Sequence, residues 1–212
     1  VQVTTFQEAV VADDDLTALV RGTFLTLAEV LEEQPADSWD GPSLCEGWRV
    51  RDVVAHVSSA ARYETEEYMA EVQADGGDFG ATTDRLAQRD GQLDPQVLLR
   101  NLRADRLHEW IPPGGVQSGA LTHAVIHGLD VTLPLGVDGW LADEARLRVL
   151  DVLIRDGVHQ MFGTGIEGLR LEATDLPWAH GDGTRVSGTS DALIAALSGR
   201  KSPPGSLSGP LR

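Results

Sequence analysis

The chain has 212 residues and carries 33 Asp and Glu against 17 Lys and Arg, a formal net charge of −16. Such an acidic surplus repels phosphate backbones and anionic lipid, so neither a nucleic acid nor a membrane surface is expected as a partner. The lone cysteine, Cys45, excludes an intramolecular disulfide and any thiolate-rich metal site.

Hydrophobic residues make up 42% of the chain, enough for a folded core. No apolar run reaches the length of a membrane span. Val1 to Asp15 show no basic stretch leading into an apolar one, so no secretory signal and a cytoplasmic location are expected. Lys201 is the sole lysine among abundant arginine, alanine and glycine, which suggests GC-rich coding.

The first helix is predicted from Asp13 to Gln34. Leu16, Leu19, Val20, Thr23, Phe24, Leu27, Val30 and Leu31 recur at the three-and-four spacing of one helical face. Pro35 closes it. Ala36 to Trp48 read as a loop that packs, because it holds Trp39, Leu44, Cys45 and Trp48 among its turn residues. A second helix is predicted from Val50 to Ala74, facing inward through Val50, Val53, Val54, Val57, Ala60, Ala61, Tyr68 and Val72. Gly76 to Gly80 break the pattern, and Thr83 to Arg89 form a short helical piece. A third helix spans Pro95 to Trp110, with Asp94 as its cap. A fourth runs from Ser118 to Leu133 and is stopped by Pro134 and Gly136. A fifth runs from Asp143 to Phe162, with Leu147, Leu150, Ile154, Val158 and Met161 inward.

From Leu169 the period changes to two. Leu169–Thr174 and Thr184–Thr189 alternate, and His180-Gly181-Asp182-Gly183 between them is turn chemistry, so a β-hairpin is expected. A last helix, Ser190 to Leu197, follows. The expected architecture is mainly α: an up-and-down four-helix bundle over residues 1–163, a small C-terminal α+β appendage (hairpin plus helix) over 164–200, and a disordered tail over 201–212.

The sharpest chemical feature is His123-Ala124-Val125-Ile126-His127. Two histidines four apart on a helix project from one face and can share a metal ion. The spacing alone equally fits surface or capped core residues. His56, on or beside the inward face of a different helix, changes the weighing, because a buried imidazole needs partners for both ring nitrogens. Three histidines from two helices can satisfy one another through a divalent metal and leave a coordination position open to a pocket. Three imidazoles suit Zn, Ni, Fe or Cu, and the pattern itself does not choose among them; Zn is the expected ion.

Two stretches carry a family resemblance. Pro42-Ser43-Leu44-Cys45-Glu46-Gly47-Trp48-Arg49-Val50-Arg51-Asp52-Val53-Val54-Ala55-His56-Val57 resembles the hallmark of the N-terminal domain of mycothiol-dependent maleylpyruvate isomerases, within the DinB/YfiT-like metal-binding four-helix bundles. His127-Gly128-Leu129-Asp130 resembles their second hallmark. The C-terminal pattern with Trp178, Gly181-Asp182-Gly183 and Ala192–Leu197 is similar to actinobacterial members. The resemblance implies metal ligands at His56, His123 and His127. It also implies mycothiol as a thiol cosubstrate and a small electrophile as substrate, in S-transfer or isomerisation. The isomerase branch carries glutamate where this chain has His123. A non-catalytic metal- or ligand-binding stress or regulatory bundle, and a hydrolase that activates water, are the competing readings. A monomer or a homodimer is compatible with each.

Supporting roles are open. Asp52 and Asp130 stand four before His56 and three after His127, where each can orient an imidazole or act as an ordinary helix carboxylate. Arg62 and Arg85 are candidates to clamp a substrate carboxylate, or solvated surface arginines. Cys45, with apolar neighbours and no adjacent cation, reads as a packed thiol. His108, His159 and His180 have no partner at ligand spacing and read as structural or surface residues. The tryptophans read as core and loop anchors.

Overall fold

The computed structural model describes residues 13–112, 115–201 and 205–211. It is mainly helical, with a small four-stranded sheet near the C-terminus. Among the described residues no helix is long and apolar enough to cross a membrane.

Helix α1, Asp13–Glu32, buries Leu16, Val20, Phe24, Leu27, Ala28 and Leu31, the stripe its periodicity predicts. The following loop is pinned. Trp39 is buried in a 3-10 turn over Ala36–Asp40, and Pro42 bridges Arg49. Gly47 supplies the left-handed backbone, with φ +82°, for the tight return.

The single helix expected over 50–74 is two. Helix α2, Val50–Val57, ends where the Ser58 hydroxyl donates back to the Val54 carbonyl at 2.6 Å. A 3-10 turn over Ser59–Ala61 follows, and α3, Thr65–Ala74, starts at Glu64, whose backbone N–H donates to the Glu67 carboxylate. No glycine or proline marks this break. The Ser58 hydroxyl sharing the Val54 carbonyl with its own N–H, and the Glu64 cap of the next helix, mark it instead. Helix α4, Phe79–Asp90, starts at the Asp78 cap and is longer than the short piece expected. The predicted 95–110 helix divides likewise, into α5, Pro95–Leu102, and α6, Asp105–His108.

Helix α7, Gln117–Leu135, runs through Pro134 and stops at Gly136, where φ is +68°. Gly128 lets the Trp140 ring lie against its backbone, since a Cβ there would meet the indole at 2.3 Å. Helix α8, Asp143–Arg155, ends earlier than predicted, and a 3-10 turn over Val158–Phe162 takes its place. Met161, expected inward, is 84% exposed because the chain leaves the helical phase after Gly157.

Helix α7 packs against α1, α2 and α8, while α5 packs against α1 and α2. The three histidines are carried by α2 and α7, which are therefore neighbours in the core.

The C-terminal unit is not the expected hairpin. Strand β1, Leu169–Ala173, pairs antiparallel with the short β2, Ala179–His180, and parallel with β3, Thr184–Gly188, in register Leu171↔Val186. Alternation reports which residues share a face and is silent on strand direction. The crossing from β2 to β3 uses Gly183, whose Cβ would stand 2.1 Å from the Gly168 carbonyl oxygen. Helix α9, Ser190–Leu197, is buried against α7, α8 and the sheet. The buried ion pair Arg146 to Asp191, at 2.8 Å, fastens it to α8. The tail, expected to be disordered, carries β4, Leu207–Ser208, paired with β3.

Candidate metal centre

His56 lies in the last turn of α2, whose Val50, Val53, Val54 and Val57 are buried. His123 and His127 are one turn apart on α7. The three rings meet edge to face, with centroids 5.2 Å (His56–His123), 4.8 Å (His56–His127) and 4.7 Å (His123–His127) apart. One nitrogen from each lies within 4.8 Å of the others. His56 Nε2 and His123 Nε2 are 3.2 Å apart. Two nitrogens bound tetrahedrally at about 2.0–2.1 Å from a zinc ion stand about 3.3 Å from each other, so the His56–His123 pair has the spacing such an ion needs, with a nitrogen of His127 within 4.8 Å of both.

Electrostatics suits neutral ligands. Burial, then the neighbouring His127, lowers the His56 pKa to about 3. Burial with His127 and His56 nearby pushes that of His123 well below the ordinary histidine value. Both imidazoles are thus unprotonated at neutral pH, the form that binds a metal. Trp48 stands edge-on to His56 at 5.1 Å and Trp110 tilts against His123 at 5.5 Å, giving the cluster aromatic flanks.

His127 is oriented from behind. Its Nδ1 lies 2.9 Å from Asp130 Oδ2. A carboxylate only accepts, so Nδ1 carries the proton and Nε2 keeps its lone pair for the cluster. Burial opposes the charge on Asp130, but hydrogen bonds from His127 and Arg200 outweigh it and hold the carboxyl below the usual range. Of the two carboxylates one turn from a histidine, Asp130 is the one bonded to an imidazole. Asp52 does not support His56: its carboxylate accepts the Arg49 backbone N–H and both ends of the Arg49 guanidinium, capping α2. Arg85 is held by Asp75 and Glu71. Arg62 faces Asp90 at 3.7 Å and lies over Tyr63. Carboxylates of this chain already occupy both guanidiniums, which leaves them poorly placed as substrate clamps.

Cys45 has the ionic surroundings its sequence neighbours did not reveal. Its thiol donates to Asp130 Oδ2 at 3.0 Å, with Sγ 3.9 Å from His127 Nδ1. Burial, reinforced by the Asp130 charge, pushes its pKa up to about 12. It is held as a neutral thiol. His108 and His159 are buried, each bonded to a backbone carbonyl, and His180 is exposed. Two cavities, of about 270 and 240 Å³, are lined by other residues, around Trp39 and Pro95 in one and Leu121 and Arg148 in the other.

Arg200 escaped the sequence reading. It follows α9 and Gly199, where an arginine reads as a partner for the helix dipole, and its true partner is Asp130, 70 positions away.

Residues 20–110 match the family described as the mycothiol maleylpyruvate isomerase N-terminal domain. The segment holds His56 and ends before His123. Among solved structures, the crystal structure of a mycothiol-dependent maleylpyruvate isomerase is 17% identical over 91% of each chain, with TM-score 0.59. A histidine-to-alanine mutant of such an isomerase matches at TM-score 0.56, with the same identity and coverage. At that identity the likeness shows a shared fold. No curated protein matches in sequence.

Proposed function

We propose that this chain, whose residues 20–110 match the family of the mycothiol maleylpyruvate isomerase N-terminal domain, is a divalent-metal enzyme. It uses a low-molecular-weight thiol of the mycothiol type for S-transfer or isomerisation on a small electrophile. Its helical core is read as a DinB-type four-helix bundle, and a cytoplasmic location goes with the reading. The observation that carries it is the meeting of His56, His123 and His127, with ligand nitrogens within 4.8 Å of one another.

His56, His123 and His127 would hold the ion through their converging nitrogens, with zinc the expected metal among those that imidazole suits. When bound, a divalent ion supplies positive charge that stabilises an anionic sulfur at neutral pH. The protein's own groups do the rest. Burial keeps His56 and His123 neutral, so no proton competes for their lone pairs. Asp130 holds the His127 proton on Nδ1. Trp48 and Trp110 limit water beside the rings. Cys45 stays a thiol, leaving the reactive sulfur to be brought in by the cosubstrate.

Purified protein is expected to retain close to one equivalent of divalent metal, and His56→Ala and His127→Ala are expected to lose it. Mycothiol offered with a panel of small electrophiles should be consumed, or catalyse their isomerisation, in a metal-dependent manner. Full metal in both variants overturns the ligand assignment. A panel with neither thiol consumption nor isomerisation overturns the thiol chemistry, and turnover without thiol points to hydrolysis instead.

A further inference from the structure

We infer that Arg200, at the end of the C-terminal extension, is a positioning residue for the histidine cluster: through Asp130 it fixes the ring orientation and tautomer of His127. The inference rests on reading His127 as a ligand.

The Asp130 side chain is fully buried, and its two oxygens collect donors from three parts of the chain. Oδ1 takes Arg200 Nε at 2.9 Å. Oδ2 takes Arg200 Nη2 at 2.9 Å, His127 Nδ1 at 2.9 Å and the Cys45 thiol at 3.0 Å. The arginine grips both oxygens, and a fork of this kind sets the plane of a carboxylate as well as its position. The third guanidinium nitrogen, Nη1, donates to the Ser198 carbonyl at 2.7 Å, and the ring of Phe162 lies 5.6 Å from the guanidinium carbon. All three nitrogens of Arg200 are therefore committed within this chain. Three of its five N–H donors are used in this way, and its influence on the histidines passes through Asp130.

One consequence is that the C-terminal unit is more than a lid on the core. Arg200 follows α9 by way of Ser198, its C-cap, and Gly199, where φ is +75°. Docking of α9 and orientation of His127 are then two readings of one contact. Metal ligands whose far nitrogen loses its hydrogen-bonded partner typically bind about 10–100-fold more weakly.

The test compares wild type, Arg200→Gln, Arg200→Lys and Trp178→Phe. The last removes the indole bond to Asp151 in the same extension without touching Asp130. Zn²⁺ affinity is measured by chelator competition, and the His127 tautomer by nitrogen-15 imidazole spectra of metal-free protein. Arg200→Gln is expected to bind Zn²⁺ at least about tenfold more weakly and to lose the pure Nδ1–H form of His127. Arg200→Lys, which keeps the charge without the fork, should fall between, and Trp178→Phe should match wild type in both. Arg200→Gln within twofold of wild type, with Nδ1–H retained, overturns the inference. Should that variant not fold, Arg200→Lys decides on the same two readouts, and a wild-type result there also overturns it. If wild type itself binds no Zn²⁺, the proposed function fails, while the tautomer spectra still decide the role of Arg200.

Discussion

The backbone carbonyl of Asp130 accepts the N–H of Leu44 at 2.9 Å. In an uninterrupted helix that carbonyl would serve residue 134, but Pro134 has no N–H to give. The proline thus frees an acceptor on α7, and the loop that carries Cys45 docks on it. The side chain of Asp130 holds His127 while its main chain holds the loop.

Pro134→Ala restores the helical donor and sets it in competition with Leu44. The loop bond is expected to weaken by about 1 kcal/mol, the net worth of a typical internal hydrogen bond. Amide exchange at Leu44 should accelerate about fivefold while the amides of α1 keep their rates. An unchanged Leu44 rate would show that the loop is held by its other contacts, Trp39, the Pro42–Arg49 bridge and the Cys45–Asp130 bond, and not by the freed carbonyl.

Gly128→Ala places a methyl group where the Trp140 indole now lies, 2.3 Å from the nearest ring carbon. Trp140 is nearly buried and cannot swing away without opening the α7 surface. The expected cost is about 1–3 kcal/mol, read as a lower urea midpoint. Stability equal to wild type would mean that the indole has an alternative seat. Adding Trp140→Leu to the variant should recover part of the loss.

The lowered pKa of His56 makes metal-free stability depend on pH. In the unfolded chain the group takes up a proton near pH 6.5; in the folded chain it does so only near 3. Unfolding therefore binds protons between those values, and stability falls as pH drops below 6.5. One such group contributes a slope of up to about 1.4 kcal/mol per pH unit. In chelator-treated protein, His56→Gln should gain about 2 kcal/mol relative to wild type between pH 7 and 4.5. Parallel stability curves would contradict the low folded-state value.

The Cys45 pKa of about 12 leaves only about one part in ten thousand as thiolate at pH 8. Iodoacetamide is expected to label the folded protein at least a hundredfold more slowly than the urea-unfolded chain. Asp130→Asn removes the charge that supports the shift and should speed labelling. Rapid labelling of folded wild type would make Cys45 a reactive thiol and reopen its role.

Periodicity and capping were enough to place the helices of the core, because burying one face at 3.6 residues per turn is a local requirement that α1 meets residue by residue. The same local chemistry, with the family hallmark around His56 and the His123/His127 spacing, named the candidate ligands. Local pattern also ran helices together at Ser58 and Arg103, where backbone competition and caps, not glycine or proline, end them. What only the tertiary structure decided was partnership across distance. The order of strands in the sheet depends on where the chain crosses at Gly183. Asp52 went to Arg49 and Asp130 to His127, although both stood one turn from a histidine. Arg200 reaches Asp130 because α9 packs on α7, a fact of packing that no window of sequence contains. The net charge of −16 argues only against polyanionic partners, whereas the candidate chemistry rests on three imidazoles that α2 and α7 bring together and on one buried carboxylate that the fold surrounds with donors.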